Sequence, residues 1–273
     1  MPRDLYNCTA GELATRSVEQ FQNDTPPSEA AAWLDENGYD AAPIYSDDGP
    51  IGFIHTDDVT VDDNGDTLDD HLTPLTIDHM ISGDASLPDV LDALIEQPVY
   101  FLGGHNNVTG ILTRADLNTA PTRIYLFDRI TYLEEHLREL IIDKAPNWKN
   151  TSVTGNKLDN IQDRYEDAKS ANVALTEIHY AQFSTLETIV INVEDCWETC
   201  GFSIKGSASS RLHEVTDLRN DVAHANLLVE NTDSNDFLSS GRTTENLYDI
   251  LETIDQVLSN LQETGHTPDG TDA

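Results

Sequence analysis

Positive charge is what this 273-residue chain has least of. It holds 15 Lys+Arg against 50 Asp+Glu, a formal net charge of -35, and between Met1 and Ala120 its only basic side chains are Arg3, Arg16 and Arg114. So few cations cannot neutralise a run of nucleic-acid phosphates, which argues against nucleic-acid binding by that stretch. Only 24% of residues are charged and the acidic excess is spread along the chain, so it does not form one acidic tail. Cysteine is also scarce, and three residues make no disulfide framework. Cys196 and Cys200 stand one helical turn apart beside Trp197, but no further Cys or nearby His completes a tetrahedral metal site; they read as core residues, and Cys8 carries no signal. No apolar run approaches the roughly 20 residues of a membrane helix. Met-Pro-Arg-Asp-Leu at the start has no apolar signal region, so a cytoplasmic location is expected.

The segment from Ser210 to Glu230 carries Leu212, Val215, Leu218, Val222, Ala225 and Val229 at spacings of three and four, which predicts a helix with one apolar stripe. On the opposite side His213, Asp217, Asn220 and His224 share a ridge, and Arg219 lies at the border of the stripe. Cleaving RNA without a metal needs a group that moves a proton at the ribose 2′-hydroxyl and a cation that steadies the pentacoordinate phosphate. Histidine titrates near neutrality, and the arginine fork grips phosphate oxygens while staying charged. Arg219 and His224 therefore suit these two roles, whereas His213 and Asp217 read as surface or interface hydrogen-bonding residues.

Further helices surround that one. Ile124, Phe127, Ile130, Leu133, Leu137 and Leu140 predict a long helix ending at Ala145-Pro146. Leu158, Ile161, Tyr165 and Ala168, then Leu186, Ile189, Val190 and Val193, predict two more, with Gly201 as a stop. Leu247, Ile250, Leu251, Ile254, Val257, Leu258 and Leu261 predict the last. These make an all-helical bundle over residues 121–263, followed by a Thr/Gly/Pro/Asp-rich tail, 264–273, expected to be disordered.

Residues 1–120 instead contain a weak internal repeat, about 1–62 and 72–120. Each copy has a helix (Ser28 to Glu36; Ser86 to Ile95), a hydrophobic strand (Pro43 to Tyr45; Val99 to Leu102), a polar turn and a glycine-led strand. Gly52-Phe53-Ile54-His55-Thr56-Asp57-Asp58-Val59 parallels Gly110-Ile111-Leu112-Thr113-Arg114-Ala115-Asp116-Leu117. The repeat resembles a tandem pair of CBS motifs, β-α-β-β-α units that pair about a pseudo-two-fold axis and often take adenine nucleotides between them. In that family a Thr or Ser and an Asp three residues later hold the ligand's phosphate and ribose hydroxyls. The resemblance assigns Thr113, Asp116 and Asp58 to a regulatory AMP- or ATP-type ligand. His55 replaces the first repeat's hydroxyl, so one intact cleft is expected. The same Thr and Asp also serve as helix caps, which is the structural alternative.

The Arg-Asn-x-x-x-His spacing of Arg219 to His224 in a late helix resembles the R-x(4–6)-H motif of HEPN domains. These are helical bundles that usually dimerise, and many cleave RNA without metal; by that resemblance Arg219 and His224 would be catalytic, with Asn220 as the supporting polar residue. The resemblance implies an α+β chain in which a nucleotide-sensing CBS pair regulates a homodimeric HEPN endoribonuclease, with a hinge near Thr119 to Arg123 and no cofactor for catalysis. By analogy, such an activity calls for restraint by the sensor or by an antitoxin-like partner. The alternative is a non-catalytic, nucleotide-regulated dimerisation or binding module. Scarce lysine with abundant Asp and Thr resembles proteins of salt-accumulating halophiles. Like charges repel over about 10 Å at 0.1 M salt but about 3 Å at 1 M. The thermal unfolding midpoint is therefore expected to rise from about 0.1 to about 2 M KCl; a flat or falling midpoint would overturn the halophilic reading.

Overall fold

The structure, a computed structural model, describes residues 5–16, 18–59, 67–151, 153, 155–230 and 241–268. The chain divides into two compact units, Asn7–Thr122 and the segment from Arg123 onward together with residues 5–6. The first contains α1 (Ala10–Leu13), β1 (Phe21–Gln22), α2 (Pro27–Asn37), β2 (Ala41–Ser46), β3 (Gly49–His55), β4 (Thr73–Pro74), α3 (Leu87–Glu96), β5 (Val99–Gly103) and β6 (Val108–Thr113).

Each repeat is a helix followed by an antiparallel hairpin, with Pro43 opposite Phe53 in one and Phe101 opposite Ile111 in the other. A short parallel contact precedes each helix: β1 runs along β2, and the second copy reduces it to one bridge between Met80 and Phe101. The closing element of each expected β-α-β-β-α unit is a 3-10 turn, Thr56–Asp58 and Arg114–Asn118. Residues 60–66, where the first repeat was expected to end, lie outside the described residues. Helix α3 starts because Ser86 caps it with Asp89, and Leu87, Val90, Leu91 and Leu94 form its buried face. Helix α2 ends at Gly38, whose φ of 66° suits glycine. Gly52 is required for another reason: β4 passes so close that a Cβ would lie 2.6 Å from the Thr73 carbonyl oxygen. Phe53 and Phe101, with ring centroids 5.1 Å apart, join the two hairpins in a shared core with Ala41, Val99 and Ile111.

Helix α4 (Ala120–Lys144) begins at the expected hinge, because Pro121 fits the first turn of a helix, where no N–H partner is needed. The predicted stripe fails at its start. Ile124 and Phe127 are 53% and 61% exposed, while Tyr125 and Leu126 are buried. Steps of three fall about 60° short of a full turn, which carries Ile124 roughly 180° away from Leu133. Then follow α5 (Gly155–Ser170), α6 (Phe183–Asn192) and α7 (Glu194–Thr199), the last two separated by extended backbone at Val193. Gly201, with φ 92°, ends α7 as expected. Helix α8 (Lys205–His224) stops short of the predicted Glu230: Ala225 turns left-handed at φ 56°, and the Asn226 N–H reaches the Asp221 carbonyl. Val229 is buried by this reversal of the chain and not by helical periodicity. Helix α9 (Thr244–Glu263), capped by the Thr243 hydroxyl, buries all seven predicted apolar residues.

The expected disordered tail does not begin at Thr264. His266 is buried and bonds Asp143, and its N–H closes the end of α9 on the Leu261 carbonyl; residues 269–273 lie outside the described residues. Burial pushes the thiols of Cys8 and Cys196 up to about 12 and raises that of Cys200 further. Among the described residues no helix is long and apolar enough to cross a membrane.

His136 on α4 is fully buried. Its Nδ1 lies 2.9 Å from the Tyr132 carbonyl oxygen, which only accepts, so the proton sits on Nδ1; Nε2 has no partner among the described residues. Burial lowers its pKa, against the Tyr132 bond and the nearby Glu135 charge. The folded state therefore holds the neutral ring, and its contribution is complete above the unfolded value of about 6.5. Stability is expected to fall as pH drops below that value, because only the unfolded chain takes up the proton. Chemical denaturation of wild type and His136→Phe at about pH 7.5 and pH 5.5 checks this. The decline should be smaller in the variant, and equal declines would refute it.

Candidate functional site

The resemblance-assigned pair in the second repeat comes together at the end of β6. Thr113 caps the turn Arg114–Asn118, and Asp116 Oδ2 accepts the Thr113 N–H at 2.8 Å and its hydroxyl at 3.2 Å. Asp116 Oδ1 accepts the Thr15 hydroxyl at 3.1 Å. Asp116 is only 8% exposed; burial raises its pKa, opposed by the bonds from Thr113 and Thr15. The alternative capping role is thus present in this structure.

Thr15 links this carboxylate to a cavity. Its backbone exchanges both hydrogen bonds with Ile111, and the two residues line a space of about 150 Å³ with Val18, Trp33, Tyr39 and Ala42. Trp33 and Tyr39 stack across the end of α2, with centroids 5.3 Å apart and planes 11° from parallel. Sequence reasoning missed both aromatics and Thr15. The aromatics flank Gly38 and could have been noticed as a pair, whereas nothing local in sequence ties Thr15 to Asp116, 101 residues away. Asp58 is not part of this assembly. It is exposed on the turn Thr56–Asp58, and the neighbouring Thr56 hydroxyl donates to the carbonyls of Tyr39 and Asp40.

In the helical unit α8 splits the other candidate set. Asn220 and His224 are exposed on one ridge, while Arg219, five residues before His224 and so about 140° round the helix, turns toward α4. Its Nε lies 3.7 Å from Oε1 of Glu134, whose Oε2 accepts from Arg138 at 2.9 Å. His224 is the last residue of α8, and its ring has no partner among the described residues. Asn220 lines a cavity of about 590 Å³ that holds five carboxylates, those of Glu214, Asp217, Asp221, Glu230 and Asp249. The two arginines there are already engaged, Arg242 with Asp221 at 2.8 Å and Arg211 with Glu214 and Asp249 at 3.6 Å. His213 faces the carboxylates of Glu187 at 3.4 Å and Asp217 at 3.8 Å on the surface of α8. Among the described residues no cluster of His, Cys, Asp or Glu could hold a metal ion.

No protein-family model matches this chain, and no curated protein matches it. Among solved structures it is similar, in its N-terminal part, to a CBS-pair protein, CBSX2, from Arabidopsis thaliana (19% identity, 41% of this chain and 92% of that one, TM-score 0.36). It is also similar to CBSX2 in complex with AMP (18% identity, 40% and 93%, TM-score 0.35). A third is the CBS domains of a transcriptional regulator from Streptococcus pneumoniae (13% identity, 40% and 95%, TM-score 0.36).

Proposed function

We propose that the N-terminal unit is a CBS pair that binds an adenine nucleotide, and that this binding regulates a dimeric, HEPN-like helical unit that cleaves RNA without a metal. The observation that carries the sensing half is the Thr113–Asp116–Thr15 network at the rim of an aromatic-walled cavity. At about 150 Å³ the space is smaller than the roughly 300–1,000 Å³ of pockets that enclose drug-sized ligands. It suits the flat base, leaving the sugar and phosphate at the rim. There Asp116 exchanges its threonine donors for ribose hydroxyls, and the freed Thr113 hydroxyl donates to the phosphate.

In the effector half Arg219 would hold the scissile phosphate, His224 would move the proton, and Asn220 would support them. Because Arg219 and His224 leave α8 in different directions, a second copy must complete the site. Adenine nucleotide acts only as far as it binds two states unequally. A second reading, a nucleotide-regulated binding module without catalysis, is favoured by the Glu134 contact that occupies Arg219 and by the carboxylates around Asn220.

Calorimetric titration of AMP at molar KCl tests the sensor. Trp33→Ala and Asp116→Asn should each weaken binding about tenfold or more, the loss of a stacking face or of a charge-assisted hydrogen bond. Absent or unaltered binding would refute the nucleotide site. Cleavage of single-stranded RNA with EDTA present tests the effector. His224→Ala and Arg219→Ala should lower the rate by about 100-fold or more, with AMP changing the wild-type rate. Folded protein that cuts nothing under either condition would leave the binding-module reading.

A further inference from the structure

Seven cations of this acidic chain are committed to carboxylates: Arg129 to Asp255, Arg138 and Arg219 to Glu134, Lys144 to Asp143, Lys149 to Glu177, Arg211 to Glu214, and Arg242 to Asp221. Lys157 and Arg164 are among those that are not, and they share one site. Neither has a carboxylate within 4.0 Å among the described residues, yet both line one small cavity of about 50 Å³ between α5 and the start of α6. Seven residues apart, they project from the same face of α5. Asp159, Asp163 and Glu166 fall roughly 120–180° round the helix from Lys157, and Asp167 about 80°. No carboxylate lines the cavity, and the side chains that complete its polar wall are Asn160, Tyr180, Gln182 and Thr185.

Four features offer hydrogen-bond donors at this space. The ten-residue helix α6 opens here, with its N-cap Gln182 and its third residue Thr185 both in the wall. The Thr185 and Leu186 N–H groups bond the Gln182 carbonyl, while those of Phe183 and Ser184 have no acceptor among the described residues. A helix start of this kind favours an anion through its open N–H groups and its dipole. Thr185 is only 3% exposed, lines the cavity and makes no side-chain hydrogen bond among the described residues. The Tyr180 oxygen accepts the Leu175 N–H at 3.1 Å, so its own proton is left to donate. Lys157 Nζ is within 3.4 Å of the Ser184 carbonyl, which places the ammonium over the first turn of α6.

We propose that this cavity is an oxyanion site for a single phosphate group, distinct from both sites described above. Size sets the ligand: at about 10–15 Å³ per water the cavity has room for roughly three to five waters. That admits a tetrahedral oxyanion and excludes a nucleoside. The phosphate is therefore free or terminal, with any organic part outside. Arg164, exposed at the mouth, supplies the charge and two-pronged donation; Lys157, Thr185 and the helix start hold the inner oxygens.

The test is calorimetric titration of inorganic phosphate into the full chain, with ionic strength held constant by KCl. Arg164→Gln and Lys157→Gln/Arg164→Gln should weaken binding at least about tenfold, the double variant more, and Thr185→Val should weaken it without any change of charge. Arg211→Gln, which removes an already paired arginine, should leave it unchanged. Circular dichroism confirms the fold of each variant. Competition by a 5′-phosphorylated RNA oligonucleotide, but not by its 5′-hydroxyl form, assigns the phosphate to a strand end, and competition by neither assigns free phosphate. No binding to wild type, or binding indifferent to Arg164 and Lys157, overturns the site. Neither result bears on AMP affinity or on the His224 variant, so the proposed sensor and effector stand or fall separately.

Discussion

Thirty-five uncompensated negative charges constrain nearly every polar decision in this protein. Each carboxylate raises the local cost of another, and each arginine or lysine that meets two helices can relieve part of it. Glu134 shows the consequence, since it sits between Arg138 and Arg219 and ties α4 to α8. Arg211 and Arg242 do the same among the acids of α8, α9 and the segment between them. These are partly exposed pairs, each worth at most about 1 kcal/mol in dilute salt.

The N-terminal unit solves a different problem with uncharged groups. Its two repeats each offer a helix and a hairpin, and the first buries a cluster of its own around Leu34, Ile44 and Ile54. Phe53 against Phe101, and Thr15 paired with Ile111, join residues of both repeats in a second core. The Thr15 pairing that closes this unit also delivers a hydroxyl to Asp116. Asp116 is satisfied by three hydroxyl and amide donors with no cation among the described residues, and in the proposed site two of them would give way to ribose hydroxyls. That exchange would be harder against an ion pair.

Much of this organisation is legible in the sequence. The apolar spacing of α9 and the Ser86-x-x-Asp89 cap of α3 specify their elements locally, and the matched glycine-led strands disclose the repeat. Arg219, Asn220 and His224 can be found as a motif, but which way Arg219 turns depends on Glu134, 85 positions earlier in the chain (219 − 134). The start of α4 and the end of α8 are misread because long helices drift relative to a three-residue step and because Ala225 adopts a conformation its side chain does not advertise. The aromatic cavity and the phosphate cavity share one reason for being hidden. Each is assembled from elements whose own patterns are legible but whose meeting is set only by the fold.

The buried thiols have a practical corollary. Each unit carries its own, Cys8 in one and Cys196 with Cys200 in the other, all raised far above the range where a thiolate forms near neutral pH. A thiol reagent can react only through molecules in which that unit has opened. Labelling followed residue by residue thus gives each half of the chain a separate clock for its own breathing, without a probe having to be introduced.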